Sequence, residues 1–390
     1  MTHKISNDRA KLLRSARRVV VKLGTNVVAE ADGSLCAARL EPVIATVAQL
    51  KQAGIQVVLV SSGAVGLGRG WLGLHRARTN DLVTRQACAA VGQALLMQAY
   101  ERLFRAHDIK IAQVLLTEDD FMARQRSSNL RHTMEKLLKL GVTPVVNEND
   151  TVSTAELESV REGGRTRIFS DNDRLAALVA SRLDANALIL LTNVPGVLPR
   201  AGRSAEAATV EPPAILPWVQ EITPEIKALA SGPAPGGRGG MLTKLEAAEI
   251  ATHAGAITVI ADGTQPDTLP RIFRGEAVGT AFAPARRMAG KRRWIAYAAD
   301  VRGRIVVNAG AQEAITRRKA SLLWSGVVAV ERPFSALEVI SITGPAGREF
   351  ARGIANHGSD RAPAQNGAVP APSAKPLVLV TRDNIVVFEK

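Results

Sequence analysis

The chain has 390 residues, 46% of them apolar and 22% charged, enough for two packed domains. Fifty Lys and Arg against 36 Asp and Glu leave a net charge of +14, which points to anionic ligands: nucleotides, phosphorylated metabolites or nucleic acid. No run of eighteen apolar residues occurs, so no membrane helix is expected, and Cys36 and Cys88, spaced as neither a metal nor a redox motif, read as free thiols in a reducing cytoplasm. Residues 1–16 are basic, lack an apolar signal core and read as a frayed lead-in. Apolar runs follow at 17–26 ("RRVVVKLGTN"), 55–64 ("IQVVLVSSGA"), 141–150 ("GVTPVVNEND"), 185–194 ("ANALILLTNV") and 254–263 ("AGAITVIADG"). Continuous Val, Ile and Leu mark strands buried on both faces. Amphipathic stretches at 39–53, 84–106, 128–140 and 173–182 lie between them. Alternating strands and helices predict an α/β fold: an open, mostly parallel sheet sandwiched by helices over 17–275. Such folds bind ligands beyond the carboxyl ends of their strands, so the five loops should converge. Residues 276–290 read as a linker, and 291–390 as a small, mostly β domain interrupted by an Ala/Pro-rich, disordered insert at 361–376. After it, "LVLVTRDNIVVFEK" reads as two strands or one hairpin. The segment from Ala277 onward holds 17 Lys and Arg against 8 Asp and Glu, so +9 of the +14 lies there.

The loops carry the chemistry. Lys22 follows a buried strand and precedes Gly24, which lets backbone N–H groups approach a phosphate under the ammonium; a plain surface lysine explains the pattern equally well. In "VSSGAVGLG", Ser62, Gly63 and Ala64 stand where a helix begins, as an anion seat or simply as a cap. The spacing is neither that of a Walker loop nor that of a dinucleotide fingerprint. In "GGRGGMLTK" four glycines precede a helix with Lys244 in its first turn, which suits a polyphosphate cradle with a point charge. Two acidic knots remain. "NEND" (147–150) ends a strand and "SDND" (170–173) opens a helix, where acids also favour the helix dipole. A carboxylate between two ammonium groups would hold them apart and aimed, and phosphoryl transfer needs such positioning and positive charge more than covalent chemistry. No Ser/His/Asp, Cys/His or zinc arrangement stands out, and no residue is read as a metal ligand.

Taken together, "VVVKLGTN", "LVSSGAVGLG", "AAVGQALLM", "QVLLTEDDF", "PVVNENDTVSTAE", "SDNDRLAALVA", "LILLTNVPGVL", "GGRGGMLTKLEAAEIATHAG" and "IADG" resemble the amino acid kinase family from about Arg17 to Asp262. "KRRWIAYAADVRGRIVVNAGAQEAI" and "SLLWSGV" resemble a PUA domain. "NEND" joined to "SDND" is similar to the branch that phosphorylates the side-chain carboxylate of L-glutamate with ATP and Mg²⁺, the first step of proline synthesis. The resemblance implies that Lys22 and Lys244 stabilise the transferring phosphoryl group and that Asp173 organises them. It implies that Ser62, Asp150 and Asn172 hold glutamate, with Gly63, Ala64 and Asn147 lining its seat. It assigns ATP to Lys22, Gly24, Thr192, Asn193 and the run Arg238, Gly239, Gly240, Met241, Leu242, Thr243 and Lys244. Mg²⁺ would be held by phosphate oxygens and water. Proline as feedback inhibitor, a homo-oligomer, cytoplasmic location and RNA contact through the PUA-like domain are further expectations. The sequence departs from the family pattern at Asn193, where Asp is usual, at Arg238, where Thr is usual, at Asn26 and at Ser170. The first two make the nucleotide edge more positive. Two alternatives stay open: a related kinase with another acidic substrate, and a degenerate kinase fold serving as an RNA-binding regulator.

Overall fold

The computed structural model describes residues 2–74, 81–152, 172–198, 215–229, 240–361 and 377–388. The chain divides into two units, Met1–Arg287 and Met288–Lys390. Strands of the first unit are β1 (Arg18–Leu23), β2 (Gln56–Ser61), β3 (Ile111–Leu116), β4 (Thr143–Glu148), β5 (Ala187–Thr192), β6 (Trp218–Val219), β7 (Ile257–Asp262) and β8 (Thr280–Phe282). They form one eight-stranded sheet in the order β3-β4-β2-β1-β5-β7-β8-β6. The pairs from β3 through β7 are parallel, and β8 runs antiparallel to β7. The five apolar runs of the sequence are β1, β2, β4, β5 and β7, and their carboxyl ends open on one side. Every residue of β5 is buried, as is β1 from Val19 onward, which is why these strands lack a polar alternation.

Three elements depart from the expectations. Strand β3 sits at the sheet edge with Gln113 and Leu115 exposed, so it needs no apolar run. The lead-in is a helix, α1 (Thr2–Arg14), whose Leu13 joins Ala16 in the core. Its buried Arg9 donates to the carbonyl oxygens of Val278 and Gly279. The segment 276–290 is not a plain linker. It contains β8, whose Ala281 lies in the core, and three residues are too few to show a periodic pattern.

The flanking helices include α2 (Ala37–Gln52), α3 (Ala64–Trp71), α4 (Leu82–Arg105), α5 (Arg124–Lys139), α6 (Asn172–Arg182) and α7 (Met241–His253). Asp81 caps α4, its carboxylate accepting from Thr84 N at 2.8 Å. Gly63 precedes α3 with φ at 103°, a left-handed conformation that glycine adopts without steric cost. Helices α3 and α4 touch backbone to backbone. A methyl group added at Gly68 would stand 1.9 Å from Cys88 O, and one at Gly92 would stand 1.7 Å from Ala64 O.

In the second unit, β9 (Val301–Val307), β11 (Val327–Arg332), β12 (Val339–Thr343), β13 (Glu349–Ile354) and β15 (Ile385–Val387) form a sheet in the order β11-β9-β12-β13-β15. β10 (Leu322–Leu323) pairs with β14 (Val378–Val380). The tail therefore forms two strands in different sheets, not a hairpin. Trp324 and Phe334 stack at 6.3 Å within the unit's core, which also contains Ile305, Ile340 and Ile342. The expected insert lies, apart from Arg361, outside the described residues.

The α3–α4 contact distinguishes two glycines of one helix. Gly68→Ala must push the helices apart and should destabilise the protein by about 1–3 kcal/mol in thermal unfolding. A methyl group at Gly66 meets nothing within 4 Å. Gly66→Ala should be neutral or stabilising by up to about 1 kcal/mol, through helix propensity.

Candidate active site

Two groups of side chains meet at the carboxyl ends of the central strands. In the first, β1 supplies Lys22, the first turn of α6 supplies Asp173, and the first turn of α7 supplies Lys244. Lys22 Nζ lies 2.6 Å from Asp173 Oδ1, and Lys244 Nζ lies 3.0 Å from Asp173 Oδ2. All three are buried, and Asp173 has no exposed surface. Burial pushes the Asp173 carboxyl up, but the two ammonium groups together push it further down, well below the usual carboxylate range. The cluster thus sets an ionised carboxylate between two lysine side chains. Gly24 closes over it. Its N–H donates to Leu191 O at 2.9 Å, and a methyl group there would stand 3.2 Å from that oxygen and 3.7 Å from both Lys22 Nζ and Thr192 Cα. Glycine thus lets the chain cross β5 closely beside Lys22 and Thr192 without crowding the Leu191 carbonyl.

Lys244 belongs to a helix start. Gly240 precedes α7 in an extended conformation and provides no side-chain cap, although Thr243 Oγ1 donates back to Gly240 O at 2.8 Å. The amides of the first turn of a helix lack intrahelical partners and attract anions. Met241 is half-buried and Leu242 exposed beside them. Thr192 is buried at the end of β5, and its hydroxyl reaches Asn193 Oδ1 at 3.4 Å, while Asn193 itself is exposed. Arg238 and Gly239 of the expected nucleotide loop lie outside the described residues, as does Ser170.

The second group is polar, built mainly of neutral side chains. Asn172 Nδ2 donates to Ser61 O at 2.8 Å, to Ser62 Oγ at 2.9 Å and to Asn147 Oδ1 at 2.9 Å. Residues from β2, β4 and α6 are thereby joined. Gly63 and Ala64 continue from Ser62 into α3, whose first amides have no side-chain cap. Asp150 follows Asn147 by three residues, half-buried in the turn that leaves β4. Because Asn172 and Asp173 are adjacent, one helix start serves both groups.

Two supporting residues were not among the sequence candidates. Gln93 Oε1, on α4, accepts from Asn147 Nδ2 at 2.8 Å. Tyr100, a helical turn and more along α4, is wholly buried and lies 2.7 Å from Ser61 Oγ. Burial pushes its phenol up, so it stays protonated. Ser61 donates its own proton to Ser62 O at 3.0 Å, so the phenol is the donor to Ser61. The only sequence signal for either residue is the "AAVGQALLM" segment, where a helical glycine marks close packing. Among the described residues no three His, Cys, Asp or Glu gather as a metal cage, and no helix is long and apolar enough to cross a membrane. Cys36 and Cys88 are free and buried.

Residues 17–261 match the model of the amino acid kinase family, and residues 303–367 match that of the PUA domain. The chain is 46% identical over 347 residues to a glutamate 5-kinase of Moorella thermoacetica, covering 88% of both chains. It is 45% identical over 348 residues to a glutamate 5-kinase of Myxococcus xanthus, covering 88% of this chain and 87% of that one. Among solved structures, UMP kinase from Bacillus anthracis is similar at a TM-score of 0.46 and 15% identity, over 70% of this chain and 97% of that one.

The ion cluster makes a stability prediction. The folded Asp173 carboxyl lies below its unfolded value, so its contribution is complete above about pH 4 and fades only as pH falls toward the folded value. Asp173→Asn removes the carboxylate that both buried lysines contact. At neutral pH it should cost about 3–5 kcal/mol, measured by urea unfolding. A loss under about 1 kcal/mol would mean that the lysines relax into water.

Proposed function

The chain belongs to the amino acid kinase family, and from that premise we propose that it is a glutamate 5-kinase: it transfers the γ-phosphoryl group of ATP to the side-chain carboxylate of L-glutamate, the first step of proline synthesis. The observation that supports this most directly is the buried Lys22–Asp173–Lys244 cluster, with its 2.6 and 3.0 Å contacts. Two lysine side chains aimed by one buried carboxylate offer the positioning and positive charge that a transferring phosphoryl group requires. Because Asp173 already holds both cations in place, little reorganisation accompanies the transfer.

The amides that open α7, with Gly24, Thr192 and Asn193 beside them, take the nucleotide phosphates. Arg238 and Gly239 extend that binding run. Ser62, Gly63, Ala64, Asn147, Asp150 and Asn172 take glutamate. Asp150 suits the α-ammonium group, and Ser62 and the first amides of α3 suit carboxylate oxygens. Mg²⁺ would be carried by the phosphate oxygens and water, and it would supply further charge neutralisation when bound. Homo-oligomeric assembly, inhibition by proline, cytoplasmic residence and RNA contact through the PUA domain belong to the same reading.

The reaction is tested by incubating the protein with ATP, Mg²⁺ and hydroxylamine and following hydroxamate with glutamate, N-acetylglutamate or aspartate as acceptor. Glutamate should give the highest kcat/KM. Preference for another acceptor would redirect the assignment, and turnover with none of them would leave a nucleic-acid-binding role. The site roles separate in kinetics. Asp150→Ala should raise KM for glutamate by about tenfold or more and leave KM for ATP nearly unchanged, whereas Lys244→Ala should lower kcat by roughly a hundredfold. Equal losses for both substrates in Asp150→Ala would remove its acceptor role.

A further inference from the structure

We propose that Gln93 is a positioning residue for the acceptor substrate, acting through Asn147 to set which atoms of Asn172 and Ser62 face the ligand; this rests on the function proposed above. The side-chain amides of this chain could be turned either way by shape alone, so the assignment must come from neighbours whose polarity cannot change. Two backbone groups provide it. Glu148 N–H, an obligate donor, lies 2.9 Å from one end of the Asn147 amide, which must therefore be Oδ1. Ser61 C=O, an obligate acceptor, lies 2.8 Å from one end of the Asn172 amide, which must therefore be Nδ2. The 2.9 Å contact between Asn147 Oδ1 and Asn172 Nδ2 agrees with both.

The consequences run in two directions. Toward the ligand, Asn172 Nδ2 is shared among three acceptors, leaving Asn172 Oδ1 to accept from a substrate ammonium. Ser62 Oγ accepts from Asn172, which keeps its own proton available to donate, for instance to a carboxylate oxygen. Away from the ligand, Asn147 Nδ2 faces Gln93, which must present Oε1 at 2.8 Å. Gln93 Nε2 is then buried with no partner among the described residues. A side chain that leaves one buried donor unsatisfied in order to present an acceptor is poorly explained by stability. It is explained by the need to hold Asn147 in one orientation. The packing supports this placement, because the preceding residue, Gly92, is the one that admits the Ala64 carbonyl at the head of α3.

The test uses the full chain. Gln93→Met keeps the volume and removes the acceptor. One buried donor lacks a partner before the change (Gln93 Nε2) and one after it (Asn147 Nδ2), so the unfolding midpoint should stay near that of the parent. KM for glutamate should rise about tenfold with KM for ATP unchanged, and the rise should vanish when Gln93→Met is made in an Asn147→Ala background. Gln93→Glu, which still offers Asn147 an acceptor oxygen, should keep KM for glutamate within about threefold of the parent, and it decides the matter if Gln93→Met does not fold. An unshifted KM in Gln93→Met, an equal shift for ATP, a shift that persists without the Asn147 amide, or a tenfold rise in Gln93→Glu would each overturn the role. Turnover of glutamate by the parent chain separates failure of this inference from failure of the proposed function.

Discussion

A carboxylate without exposed surface, held between two lysines, is the constraint on which the first unit depends. Lys22 and Lys244 together hold the buried Asp173 carboxyl in its ionised form against the cost of desolvation. The three residues come from a strand and two helix starts far apart in sequence. The register of β1, the entry of α6 and the entry of α7 must therefore all be correct together.

The polar group around Asn172 depends on close backbone approach. Gly68 and Gly92 let α3 and α4 touch main chain to main chain, which brings Gln93 and Tyr100 behind Asn147 and Ser61. The polar chain from Gln93 to Ser62 is then anchored by backbone groups at Glu148 and Ser61, so its donors and acceptors face in defined directions. Charge lies on one side and oriented dipoles on the other. The two acidic knots are correspondingly different. Asp150 stands in the turn that leaves β4, and Asp173 stands between the lysines.

The central strands were legible because burial on both faces leaves an unbroken apolar run, and each run ended in the loop that contributes to the site. Strand β3 was not legible, since an edge strand tolerates Gln113 and keeps no such run. Strand β8 was too short to carry a pattern, and α1 looked like a frayed start because its charges outnumber its few core residues. In the site, Lys22, Asp173 and Lys244 could be nominated from glycine-rich loops and helix starts. Gln93 and Tyr100 could not, for a glutamine or tyrosine within a helix looks the same whether it faces water or a neighbouring amide.

The sequence by itself determined the layered α/β class, the carboxyl-end location of the site and the residue types available there, because hydrophobic period and turn chemistry are properties of neighbouring residues along the chain. The tertiary structure alone decided which carboxylate grips which lysine, which way each side-chain amide is turned, and how closely α3 may approach α4. Those depend on distances between segments separated by up to about 150 residues in the chain, and on the polarity of whichever backbone group happens to face them. No local pattern encodes such a pairing, because the partner is chosen by the fold.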